Sequence, residues 1–456
     1  SIDENIEYKM LKVFNFGRNM HCGFWKPMMY KRTFLSEAYR CEKAWNDRLQ
    51  SPLLQKYPPE DLFIILENKF HCDKKVSALD IDIFANSIQK KQQVEELLSL
   101  LQKLRKTAEA TNILDSTHHA VIRYLLNNEC TNELMNILHD RLNFGIFPDY
   151  LCYNILMDTY IKKEDYSSAA KIAVLPMLQE DSEHLITNAL SIYSCHKYLE
   201  NPDTWQKPPE PVDDSKEEIK IRVDYLRNPF FDDHFDLTEP CDLVGKTLAF
   251  QGKFMNNELG RTCQLRGLIL YKKYQDVSKL IKQWLNGVEG NIVYNEVFKL
   301  IEKDKKDILK EQATNEFEHL MSEVNVLKQK ALCMDSLNEA LENNVKSAVN
   351  KQHDIDINKQ MQIYTEWEEK RQLVLNKQLE EINRQIKLKE INKMKEEMHV
   401  RERFLTFFEN REKIELEIEK IKSAQRKENR RILRIRGARK KLKMLEEQKE
   451  YIPPLI

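Results

Sequence analysis

A turn–helix–turn–helix pattern occupies Asn143 to Glu180 and decides what this chain can become. Gly145 can take positive φ just past a helix end, and Pro148 stops any continuation of that helix. Asp149 then supplies an N-cap for a helix in which Cys152, Leu156 and Tyr160 share one face and Tyr153, Met157 and Ile161 the next. Asp165 caps a second helix. Tyr166, Ala169, Ala170, Ala173 and Met177 make its narrow seam, where small residues let another helix approach. Pro176 removes one backbone bond there and is expected to kink or end the helix. A single hairpin of this kind cannot bury its own apolar faces, so it requires stacked neighbours. They exist. Moving 34 residues back from Tyr150 reaches Ser116, where a helix through Leu126 and a second from Asn132 to Asn143 repeat the unit. Ile81–Ile88 with Val94–Leu104 forms a shorter pair, and Leu185–Tyr198 supplies a further first helix. Residues 60–200 therefore read as an α-solenoid.

Charged residues make up 32% of the 456 positions while Gly contributes only 10, which points to an all-α chain. Nine Cys are scattered singly with no C-x-x-C, so neither a disulfide scaffold nor a zinc module is indicated, and reduced thiols in an intracellular compartment are expected. No apolar run reaches the ~18 residues of a membrane helix. Residues 8–36 are basic, free of Asp and Glu and rich in Phe and Met. That composition suits an organelle-targeting segment over residues 1–32, with a basic surface arm as the alternative.

Pro and Asp crowd residues 201–240, a linker, and helical pattern returns over 241–350 as a continuation of the solenoid. Gly245-Lys246-Thr247 invites a phosphate-loop reading, which fails because Pro240 stands where the earlier Gly is needed and no strand leads in. His118 and His119 diverge by about 100° on a helix and cannot chelate together. From 354 to 450 there is no Pro, and Gln, Glu, Lys and Arg dominate one long helix. Leu375, Leu379, Ile382 and Ile386 keep heptad spacing, as do Ile414, Ile418 and Ile421, with a break between the two sets. Phe404, Leu405, Phe407 and Phe408 form an apolar knot. The end is one-signed: Lys422, Arg426, Lys427, Arg430, Arg431, Arg434, Arg436, Arg439, Lys440, Lys441 and Lys443 face only Glu428. Such a run repels itself unless phosphates neutralise it, so nucleic-acid backbone contact is expected, with an acidic protein or anionic lipid as alternatives.

The phrase Phe144-Gly145-Ile146-Phe147-Pro148-Asp149, continuing through Tyr153-Asn154-Ile155-Leu156-Met157-Asp158 and Ile161-Lys162-Lys163-Glu164, resembles a pentatricopeptide repeat. More narrowly, it is similar to the family of protein twenty-seven of the mitochondrial small ribosomal subunit, as is Phe34-Leu35-Ser36-Glu37-Ala38-Tyr39 with Trp45. The resemblance implies a non-enzymatic building block of the mitochondrial ribosome, located in the matrix and partnered by small-subunit ribosomal RNA and other ribosomal proteins. Its repeat-motif residues here are Gly145, Pro148, Asp149, Tyr153 and Asn154. In base-reading members two or three side chains of each repeat contact one base. The corresponding pairs here are Ala120 with Asp149 and Asn154 with His184, and Ala120 has no hydrogen-bonding group, so a scaffold is expected. No catalytic arrangement, cofactor site, small-molecule substrate or membrane span is indicated. The alternatives are a free repeat-containing factor that stabilises or processes transcripts, and a coiled-coil scaffold without an RNA role.

Overall fold

A computed structural model describes residues 34–202, 237–288, 290–308, 315–330 and 332–433, with isolated positions 205, 232, 234, 440 and 443. The targeting-like segment 1–32 and most of the 201–240 linker lie outside the described residues. The chain divides into two units, residues 1–371 and residues 372–456.

The first unit is helical. Short helices α1 (Glu42–Asp47) and α2 (Pro52–Gln55) lead into α3 (Pro59–Asp73), α4 (Ala78–Ser87) and α5 (Val94–Arg105). Next come α6 (Asp115–Asn127), α7 (Thr131–His139), α8 (Tyr150–Lys162), α9 (Tyr166–Leu178) and α10 (Leu185–Tyr198). Beyond the linker follow α11 (Pro240–Lys253), α12 (Glu258–Leu270), α13 (Tyr274–Gly287), α14 (Glu296–Ile308), α15 (Asn315–Lys328) and α16 (Leu337–Leu433). Two-residue strands β1 (Val293–Tyr294) and β2 (Leu332–Cys333) pair in parallel, Val293 opposite Leu332. First helices stack on first helices, α4 on α6, α6 on α8 and α8 on α10, as a solenoid requires.

Local chemistry sets this repetition. The Asp149 carboxylate accepts from Cys152 N at 2.7 Å and the Asp165 carboxylate from Ser168 N at 3.1 Å, so both N-caps read from the sequence form. Gly145 has φ 64° as expected. Three hairpin turns close without Gly: Glu129, Glu164 and Lys272 take φ of 55°, 60° and 63°. In each, the next residue's amide reaches the carbonyl five positions back: Cys130 to Leu125, Asp165 to Tyr160, Lys273 to Leu268. This paired bonding is the Schellman ending. Glu180 and Asp181 repeat it after α9, which holds Pro176 and ends two residues later at Leu178.

One apolar cluster runs from Leu35 through the repeats to Leu337, Leu341 and Val345 of α16, and a second joins Leu265, Ile281, Val297 and Leu320. The first cluster explains why α16 begins at Leu337 and not at the expected 354. Leu337, Leu341 and Val345 lie on one helical face and are buried. In the second unit, residues 372–433 of α16 contain no buried side chain among those described, and Leu379, Ile382, Phe404 and Phe408 are exposed.

Candidate functional site

A ladder of polar side chains runs along the inner faces of the stacked first helices, and every rung has a partner from the same unit. Asp82 on α4 is fully buried, yet it accepts from Arg371 Nε at 2.7 Å and from Thr117 Oγ1 at 2.8 Å. His119 on α6 is also fully buried, with Asp149 Oδ2 at 2.7 Å from Nδ1 and the Tyr364 hydroxyl at 3.0 Å from Nε2. Asn154 on α8 donates to the Tyr39 hydroxyl at 2.7 Å and accepts from Thr187 Oγ1 at 2.8 Å. Tyr39 donates in turn to Asp356 at 2.7 Å, and His184 Nε2 meets the same carboxylate at 3.0 Å. Aromatic rings fill the space between. Trp45, Tyr364 and Trp367 lie 4.8, 5.4 and 5.1 Å from the His119 ring, centroid to centroid.

Two stretches supply these partners. Ser36, Tyr39 and Ser51 bond His353, Asp356 and Glu368, so residues 36–51 and 353–368 run side by side in the same direction. A cavity of about 320 Å3 remains beside them, lined by Tyr150, His184, Asp356, Gln360 and Trp367 among others.

The first helix of the 116–149 unit starts at Asp115, and its fifth residue is therefore His119, not Ala120. Leu114 remains extended and accepts from Thr117 N, so the helix starts one residue earlier than Ser116. The corrected pairs are His119 with Asp149 and Asn154 with His184. Each is capable of hydrogen bonding, and each is already engaged. Tyr153 is buried in the core, next to the ladder and not part of it.

His119, Asp149 and Cys152 place their ligand atoms within 4.8 Å of one another. Tetrahedral zinc ligands stand about 3.3 Å or more apart, whereas the 2.7 Å from His119 to Asp149 is a hydrogen bond. Burial pushes the His119 ring down, leaving it neutral, with Nδ1–H donating to Asp149 and Nε2 accepting from Tyr364. Burial opposes ionisation of Asp149. His119 and the bonds donated by it and by Cys152 outweigh that cost and hold the carboxyl below its ordinary value. Cys152 is pushed well up by burial and then by the Asp149 charge. Its sulfur lies 3.4 Å from His119 Nδ1, the same nitrogen that serves Asp149. A nucleophile and its orienting acid need opposite ring nitrogens, so this trio lacks the geometry of a thiol-activating relay.

The basic end is a different kind of surface. Arg426, Lys427, Arg430 and Arg431 are exposed on α16, and Lys440 and Lys443 are exposed beyond it. Arg434, Arg436, Arg439 and Lys441 lie outside the described residues. The sequence reading missed the inner partners Tyr39, Asp356, Tyr364 and Arg371, because a buried Asp or Arg on a charged helix looks like any solvated one. One signal was available: Tyr364 and Trp367 are the only aromatics of α16 before Phe404.

The fold defines an all-α helical-repeat protein. The sequence-family model described as mitochondrial 28S ribosomal protein S27 (MRP-S27) matches residues 6–397, and the chain belongs to that family. It is a mitochondrial small-subunit ribosomal protein by that membership, which sets it among ribosomal RNA and ribosomal proteins. Among the described residues no helix is long and apolar enough to cross a membrane.

Proposed function

We propose that this chain is a structural, non-catalytic component of the mitochondrial small subunit that supports translation by joining ribosomal RNA to neighbouring proteins. The observation that carries the RNA contact is the one-signed run from Lys422 to Lys443, whose described cations all face solvent. Arginine forks take phosphate oxygens in pairs, and each neutralised phosphate releases counterions. The family match ends at residue 397, so this contact rests on charge. The exposed Leu379, Ile382 and Ile386 and the Phe404–Phe408 knot are apolar surface of the kind that protein partners cover. The inner groove weighs against a base-reading factor, because its polar rungs are bonded internally. Charge reversal of Arg430, Arg431 and Arg434 is expected to weaken binding to small-subunit ribosomal RNA. It should also lower the slope of log affinity against log salt by roughly 2 to 3. Equal affinity and slope for both proteins across a salt titration would contradict the RNA contact.

A further inference from the structure

We propose that residues 353–371 are a built-in plug that closes the solenoid's inner groove to single-stranded nucleic acid. A row of hydrogen-bonding groups spaced one repeat apart and flanked by aromatic rings is the chemistry that takes unpaired bases. Here the chain's own residues take every place in the row, two of them from α16 directly and one through Tyr39. Arg371 meets the α4 rung, Tyr364 the α6 rung, and Asp356 the α8 rung through Tyr39. Successive contacts are seven and eight residues apart on α16. That is about 11 Å at 1.5 Å per residue, close to the ~8–10 Å between packed helices. Two helical turns thus roughly match one repeat.

The plug is locked at its end. The Arg371–Asp82 pair is nearly inaccessible, at 3% and 0% side-chain exposure, and Arg371 also bonds Glu368 at 2.6 Å. Residues 36–51 lie along the same helix and cover it. Releasing the plug would take Arg371 from Asp82, Tyr364 from His119 and Asp356 from Tyr39. The inference is independent of the basic end, which belongs to the second unit.

Two measurements on the unmodified full chain test it. A 25-nucleotide oligouridine carrying 4-thiouridine is irradiated with the protein at physiological salt, and crosslinked peptides are mapped. None is expected in α6 or α8, and crosslinks there would overturn the plug. Amide exchange is expected to protect residues 353–371 as strongly as α6 and α8, whereas exchange as fast as residues 375–400 would overturn it. A third arm uses Tyr364→Ala with Arg371→Ala, taken only if circular dichroism and a cooperative melt show a folded protein. That variant should gain at least tenfold in crosslinking, at α6 and α8. A folded variant without the gain would overturn the plug, because the opened groove would have no affinity for RNA to block.

Discussion

Arg266 and Asp304 show what single residues contribute to this fold. The guanidinium is 2% exposed and meets the carboxylate through two bonds, 2.8 and 3.1 Å long. Arg266→Ala strands a buried carboxylate and should cost about 3–5 kcal/mol in urea unfolding. Arg266→Met combined with Asp304→Leu should recover most of that loss, since paired apolar replacements leave no uncompensated charge. A double variant as unstable as the single one would contradict this assignment. The buried histidines set the acid limit. Burial holds His119 below the ordinary imidazole value of 6.5, and burial followed by the Arg266 charge holds His196 well below it. The unfolded chain takes up these protons first as pH falls, so their contribution is complete above about pH 6.5 and declines below it. The melting temperature should therefore drop between pH 7.5 and 5, and His119→Gln should flatten the drop. A melting temperature that holds or rises would contradict the neutral assignment.

At the scale of elements, the hairpins were the legible part. Gly145, Asp149 and Asp165 act through local rules that sequence carries openly, and the helices α8 and α9 follow from them. The turns before Thr131 and Asp165 were legible too, but their left-handed residues Glu129 and Glu164, like Lys272, were hidden, because a left-handed residue other than Gly announces nothing in sequence. A one-residue difference at the start of α6 changed Ala120 for His119, and with it the chemistry of a rung. The α11–α12 pair explains Gly245, which the phosphate-loop test had left without a purpose. A Cβ on Gly267 would sit 2.5 Å from the Gly245 carbonyl oxygen, so these helices cross in direct backbone contact. Helix propensity favours Ala over Gly by roughly 1 kcal/mol, yet overpacking costs about 1–3. Gly267→Ala should therefore lower stability in thermal unfolding, and a gain would contradict the close crossing.

For the molecule as a whole, composition and charge revealed the class and the basic end, while the filled groove depended on contacts between residues 245 to 317 apart, such as Tyr364 with His119 and Tyr39 with Asp356. No periodicity in either stretch states that they meet. The repeats are bonded to the chain's own helix, and the charged end is proposed to contact RNA. Sedimentation of mitochondrial lysate in a sucrose gradient tests this contact most directly, comparing the natural chain with one reversed at Arg430, Arg431 and Arg434. The natural chain should sit in the small-subunit peak, with the reversed chain shifting toward the top as salt rises. Equal occupancy of that peak by both chains at every salt concentration, or a natural chain found only at the top, would contradict it.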